Sequence, residues 1–255
     1  MRSELAYIIG FLQADGHLSS ESGKGKLRTE LSIKDKDILS KIGSILTSNF
    51  SIRDRTRDTN FKDNYTSSIL TICDQNIRKF IHECGVPEGN KSYTVNTPYD
   101  LIDSVDYWRG FIDGDGSLGF TKQGFPFLSL NASSENIAVN FINFLEKLIG
   151  KRKRTSRNNR DNTYNICITK EDAQLVIRKL YYENCLALNR KKRISAKIKK
   201  WERPATMKKR NASKPWLPIE DTVVLENDNK NAAMLLNRNI QSIKMRRWRL
   251  SKKHD

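Results

Sequence analysis

Ile8–Gly16 reads IIGFLQADG, and one hundred residues later Trp108–Gly116 reads WRGFIDGDG. Both are helix-compatible runs ending on an aspartate, Asp15 or Asp115, set between a small residue and a glycine. A carboxylate-bearing helix end repeated in this way implies two half-domains that present two acids to one shared site. An aspartate at a helix C-terminus lies at the negative pole of the helix dipole, where a carboxylate is disfavoured unless a cation neutralises it. Two such ends side by side raise one acid's pKa further, and a divalent metal between them removes that cost. The metal-ligand set expected on this reasoning is Asp15 and Asp115, with the backbone carbonyls of Ala14 and Gly114 beside them. Gly10 and Gly110 lie inside the helical runs, each at a cost of about 1 kcal/mol relative to alanine. A close helix crossing with Gly10 facing Gly110 offsets that cost and brings the aspartates together.

Outward from the first motif, a helix over 5–14 is followed by a hairpin around the Ser/Gly/Lys-rich turn at 19–26. A helix over 37–46, a second hairpin over 51–73 and a helix over 75–83 come next, so the order is αββαββα. The second half repeats it: a helix at 107–114, a hairpin through Gly124, a helix at 135–149, strands across 151–169 and a helix at 172–182. LSIKDKDIL and LSLNASSENI recur at similar offsets after the two aspartates. A duplication at this period is too long for a solenoid and points to a pseudo-twofold pair of domains. The turn-rich VPEGNKSYTVNTP joins them. Beyond Trp201, Pro204, Pro215 and Pro218 break helical continuity. Three short helical patterns then follow over 219–227, 231–237 and 240–250, with Trp216, Leu225, Leu235, Leu236, Ile243 and Trp248 as their expected core. The expected fold is α+β: repeats over 1–98 and 99–203, then a basic linker and small three-helix domain over 204–255.

The chain has 255 residues, 46 lysines and arginines against 29 aspartates and glutamates, a net charge of +17 and a pI near 9.8. Such an excess implies a polyanionic partner, nucleic acid first. Residues 1–98 hold 14 basic against 12 acidic residues, 99–203 hold 20 against 12, and 204–255 hold 12 against 5. The densest run, KRKRTSRNNR, offers Arg152, Lys153, Arg154, Arg157 and Arg160 on a hairpin tip. NRKKRISAKIKK offers Lys191, Lys192 and Arg193. In the last helical pattern Gln241, Lys244, Arg246 and Arg247 have the polar mixture of a recognition helix. Cys73, Cys84, Cys167 and Cys185 form no CxxC pair and read as reduced structural thiols, Cys73 and Cys167 buried in apolar strands. No apolar run approaches the roughly 20 residues that span a bilayer, and no signal-peptide pattern opens the chain. A soluble intracellular protein is expected, in a bacterial or phage-infected cytoplasm or in an organelle.

The two motifs and the duplicated αββαββα order resemble the LAGLIDADG homing endonucleases of single-chain, two-repeat type, over residues 1–203. Residues 204–255 resemble a helix-turn-helix or Myb-like DNA-binding module. The resemblance implies that Asp15 and Asp115 are metal-binding catalytic acids, that their helices form the interface between halves, and that each four-stranded sheet saddles the DNA major groove. It implies Mg²⁺ as cofactor, with Mn²⁺ substituting and Ca²⁺ binding without supporting cleavage. Family sites add polar or basic residues at strand ends; here Lys34 and Asn131, at matching places in LSIK and LSLN, Lys170 after NICIT, and Lys91 are candidates. His17 reads as a strand-entry residue facing solvent or DNA. The first motif departs from the family in carrying Gln13, where an acid is common, while the second keeps Asp113. The implied activity is that of a monomeric endonuclease cutting double-stranded DNA at a long asymmetric site, with no membrane and no small-molecule cofactor. Two other readings stand beside it: a non-cleaving transcription regulator of the same fold, and a maturase binding intron RNA. Retention of both acids favours cutting.

Overall fold

The computed structural model describes residues 2–19, 24–59, 62–205, 207 and 215–252. The chain divides into two compact units, Met1–Arg203 and Pro204–Asp255.

The first unit opens with α1 (Ser3–Asp15), β1 (Gly16–Leu18), β2 (Leu27–Ser32), α2 (Lys36–Leu46), β3 (Ser51–Thr59), β4 (Lys62–Ile72) and α3 (Gln75–Glu83). The same order returns as α4 (Val105–Asp115), β5 (Gly116–Phe120), β6 (Pro126–Ala132), α5 (Glu135–Ile149), β7 (Arg157–Asn158), β8 (Thr163–Thr169) and α6 (Lys170–Leu180). Local chemistry sets several helix starts: Asp74 accepts from the amides of Asn76 and Ile77, Ser104 from that of Tyr107, and Ser134 from that of Ile137. Each half forms one antiparallel sheet, ordered β1-β2-β4-β3 and β5-β6-β8-β7.

The register fixes the equivalence of the halves. Leu18, Leu27 and Ile72 stand abreast in one sheet, Leu118, Leu128 and Ile168 in the other, and these rows face the core. The equivalent of Asn131 is therefore Glu30, not Lys34, which lies beyond β2 in the 3-10 turn Ile33–Asp35. Strand alternation also corrects the thiols. Ile72, Ile166 and Ile168 point inward, so Cys73 and Cys167 fall on the opposite side and are exposed; Cys185 is buried.

At the centre α1 and α4 pack against each other. Ala6 to Gln13 and Tyr107 to Asp113 are buried without a break, as expected of helices covered on every side. Trp108 anchors the second half, with the rings of Phe141 and Phe144 at 5.0 and 5.8 Å. One expectation holds only in part here. Residues 151–169 supply only a two-residue β7 before β8, because most of the basic run is irregular. The second basic run forms α7 (Asn189–Lys199), packed through Lys191, Ser195 and Ile198.

The second unit holds α8 (Pro218–Glu226), α9 (Asn229–Leu235) and α10 (Ile240–Ser251). Val224, Ala232, Ala233 and Ile243 form its core, with Trp216, Leu236 and Leu250 packed around them. Leu225, Leu235 and Trp248, expected inside, are exposed. The two alanines take the inward positions because small side chains let three short helices approach closely. Arg238 binds Glu220 at 2.8 Å and lies 4.1 Å over the Trp216 ring, tying α9's end to α8.

Candidate active site at the crossing of the paired helices

The crossing is made by main-chain contact. A Cβ on Gly10 would lie 2.1 Å from the Tyr107 carbonyl oxygen, and one on Gly110 would lie 2.0 Å from that of Tyr7. The helices touch where each has no side chain, so the two glycines pack against the opposite backbone rather than against each other. Two tyrosines reach across reciprocally. The Tyr7 hydroxyl donates to Asp113 at 2.8 Å, and the Tyr107 hydroxyl donates to Gln13 at 2.5 Å. Asp113 also accepts from the Tyr181 hydroxyl and the Leu188 amide, both at 2.7 Å. Gln13 instead donates to the carbonyls of Gly85 and Asn96. Burial pushes the Asp113 carboxyl upward, while Lys191 and these donors pull the other way.

The crossing carries the C-terminal ends of α1 and α4 together. Gly114 has room only because it lacks a side chain: a Cβ there would stand 2.4 Å from that of Ala14 and 3.4 Å from the Asp15 carboxylate. Burial raises the cost of ionising both Asp15 and Asp115. Desolvation is the larger cause and the Asp15 charge the second in lifting the Asp115 carboxyl to about 6, although that residue keeps solvent access. Desolvation also raises Asp15, against the fields of Lys191, Lys91 and Arg190.

Two lysines answer the dipole problem at these helix ends, where backbone carbonyls lack intrahelical partners. Lys91 donates to the carbonyls of Ala14, at 3.3 Å, and Gly16. Lys191 donates to those of Asp113 at 2.9 Å, Gly116 at 2.8 Å and Ile112. The two lysines lie the same distance along the chain after their aspartates, one hundred residues apart. Burial lowers Lys91 and brings Lys191 down to about 8. A cleft of about 280 Å³ beside Asp115 is lined by Gln13, Ala14, Lys91 and Asn131.

Of the expected site residues, Asp15, Asp115, Ala14, Gly114 and Lys91 are together. Lys34 and Lys170 are not among the cations whose fields reach the acids; Lys170 stacks its ammonium 5.0 Å from the Phe125 ring. The basic run at 151–160 is largely engaged within the protein. Arg152 pairs with Glu146, Lys153 with Asp172 and Arg160 with Asp161, and Arg157 binds the carbonyls of Asn162 and Ser133. Arg154 is exposed. Lys191 is buried under α4, so it does not offer a surface contact; Lys192 and Arg193 are exposed, but Lys192 shares a hollow with Glu4, at the other end of α1 from Asp15. In the second unit, Arg246 is held by Asp221 at 2.6 Å and Arg247 by Asn229 and Asn227, leaving Gln241 and Lys244 exposed.

Composition missed a basic surface in the first sheet. Arg53, Arg55 and Arg57 alternate along β3 and share the open side with Arg28 of β2, because the adjacent cross-strand row Ile52, Leu70 and Thr29 faces inward. Aspartates between the arginines cancel them in any net charge, yet Asp54 points to the other side, where it binds Lys36 and Ser68. The alternation R-D-R-T-R was the available signal.

Residues 2–85 match the model of the LAGLIDADG-like domain family. The chain has the LAGLIDADG homing-endonuclease fold, in two copies. Similar solved structures are the homing endonuclease I-WcaI bound to its DNA recognition sequence and a lysine-to-alanine variant of I-SmaMI. The first is 14% identical, with 76% of this chain and 85% of that one covered and a TM-score of 0.53. The second is 12% identical, with 96% and 97% covered and a TM-score of 0.52. No curated protein matches the sequence. The second LAGLIDADG motif lies outside the matched span, and its equivalence rests on the repeated element order and register. Among the described residues, no helix is long and apolar enough to cross a membrane.

Proposed function

We propose that this chain is a divalent-metal-dependent, site-specific endonuclease of double-stranded DNA. The observation that carries the reading is the convergence of two desolvated carboxylates, Asp15 and Asp115, on a helix pair whose glycines exist to bring them together. The donor set is all oxygen, which suits a hard cation such as Mg²⁺. Among the described residues no group of three or more acidic, histidine or cysteine side chains converges. Asp15 and Asp115, with the Ala14 and Gly114 carbonyls near them, would therefore hold Mg²⁺ jointly with water and a substrate phosphate. When bound, such an ion polarises the scissile phosphate and lowers the pKa of the attacking water. Lys91 and Lys191 hold the helix ends in place and keep positive charge beside the acids. The basic open side of β1–β4 supports a duplex as substrate. One chain supplies both acids, so a monomer suffices. In the second unit the exposed Gln241 and Lys244 on α10 are suited to a groove contact that lengthens the recognised site.

The test is incubation of the full chain with a randomised duplex library and Mg²⁺ or Mn²⁺, beside Asp15→Asn and Asp115→Asn. The wild type is expected to cut and both variants to bind without cutting. Retained cutting by both variants would refute the assignment of the acids. Binding by the wild type with no cutting in either metal would replace the endonuclease reading with that of a non-cleaving DNA-binding regulator.

A further inference from the structure

The open sides of the two sheets are chemically unlike. In the first, His17, Arg28, Thr71 and Ser51 form one cross-strand row, and Glu30, Ile69 and Arg53 the next. Arg55 and Arg57 continue it along β3. Arg28, Arg53 and Thr71 line one hollow of about 360 Å³. Arg57 pairs with Glu30 at 3.1 Å, and Ser67 also binds that carboxylate. Among the described residues Arg28, Arg53 and Arg55 have no acidic partner.

The second sheet has one charged residue in all four strands, Arg157, and it is committed: its guanidinium lies 4.6 Å from the Tyr164 ring and binds two carbonyls. The open side carries instead the rows Ser117, Ser129, Cys167 and Gly119, Phe127, Thr169. Asn131 and Asn165 complete it, the Asn165 amide donating to Asn131 at 2.7 Å.

We infer that the DNA target is lopsided in base composition, with G·C pairs under β1–β4 and A·T pairs under β5–β8. This rests on the proposal that a duplex is the substrate. Arginine forks match the two acceptors of guanine in the major groove, and a carboxylate such as Glu30 accepts from the cytosine amino group. Asparagine matches the donor and acceptor of adenine, and a small or aromatic surface accommodates the thymine methyl. Strands with no uncommitted cation cannot themselves favour guanine by the bidentate arginine contact.

The experiment is selection of a randomised duplex library by the full chain, with sequencing of the retained DNA at low and moderate salt. One half of the retained sites is expected to be rich in G·C and the other in A·T. Arg53→Ala and Arg55→Ala should each relax discrimination roughly tenfold in the G·C half alone. Asn131→Ala should relax the A·T half alone. A DNA duplex should also shield Cys167 from alkylation, since that thiol stands in the same row as Ser129. Even composition in both halves overturns the inference while leaving duplex binding intact. So does a uniform weakening of all sequences by the arginine variants with a shallower salt dependence, which marks phosphate contacts. Equal alkylation of Cys167 with and without bound DNA removes the second sheet from the interface. Failure to retain any duplex overturns the substrate reading itself, and this proposal with it.

Discussion

Alanine at Gly10 should weaken the protein even though alanine is the better helix former. The added methyl would lie 2.1 Å from the Tyr107 carbonyl oxygen and 3.0 Å from the Phe111 nitrogen, both main-chain atoms of α4. No rotamer relieves such a contact, so the helices must part by about 1 Å to restore ordinary packing distance. Overpacking of this kind costs about 1–3 kcal/mol. Parting also lengthens the Tyr7–Asp113 and Tyr107–Gln13 hydrogen bonds, each contributing about 1 kcal/mol net. Against this stands a gain of about 1 kcal/mol in helix propensity. The net expectation is a loss of about 2–3 kcal/mol. Gly110→Ala, with its Cβ at 2.0 Å from the Tyr7 carbonyl, should behave alike.

The double variant separates this account from a generic loss of packing. One parting of about 1 Å accommodates both methyls, so the two changes should cost well short of their sum, with a coupling of about 1–2 kcal/mol. Urea unfolding followed by circular dichroism measures all three variants. If either single variant is stabilised by the propensity difference, or if the costs add, then α1 and α4 do not meet at the backbone. Asp15 and Asp115 would then not share a site.

Asp113→Ala should cost about 3 kcal/mol, because it strands two buried tyrosine hydroxyls and the Leu188 amide, while Asp113→Asn keeps an acceptor and should cost well under half of that in the same urea assay. For Asp115 the folded-state pKa of about 6 lies above the ordinary 3.8, so the group takes stability away as pH rises from about 4 through 6 and costs nothing below that window. Melting curves without divalent metal should therefore show Asp115→Asn gaining on the wild type between about pH 4 and 7; a constant gap would contradict the shift. Lys191→Met withdraws the donor from three carbonyls and should cost about 2–4 kcal/mol at neutral pH, whereas an unchanged urea midpoint would return Lys191 to the surface role its sequence context suggests.

The helix pair was legible because its requirements are local. A glycine in a helix interior costs stability unless something comes close, and an aspartate at a helix end needs a cation. Lys191 was not legible by charge, since it sits in a run where five of the residues 190–197 are lysine or arginine. Periodicity carried the signal instead: Lys191, Ile194, Ser195 and Ile198 follow the i, i+3, i+4, i+7 stripe of a buried helix face. A cation in that stripe can be buried only if acceptors meet its ammonium, and the carbonyls ending α4 do so. The second unit's core was not legible for a related reason: hydrophobic size points to Leu225 and Leu235, whereas the helices close on Ala232 and Ala233.

The mismatch of Gln13 against Asp113 follows from what each residue faces. Around Gln13 the neighbours from its own half are two carbonyl oxygens, Gly85 and Asn96, which demand a donor, so a carboxylate there would meet like partial charge in a site where Gln13 is only 2% exposed. Around Asp113 the neighbours are a tyrosine hydroxyl and an amide N–H, which demand an acceptor. The tyrosine crossing from the opposite helix suits either case, since a hydroxyl donates equally to an amide oxygen or a carboxylate. Tyr7 and Tyr107, Gly10 and Gly110, and Asp15 and Asp115 are identical in the two halves and are placed by the helix pair itself. Gln13 and Asp113 differ because each answers to the loop behind it. The open sheet sides, which lie outside the hydrophobic core, differ most of all, and that freedom is what lets one fold hold a symmetric acid pair between two unlike surfaces.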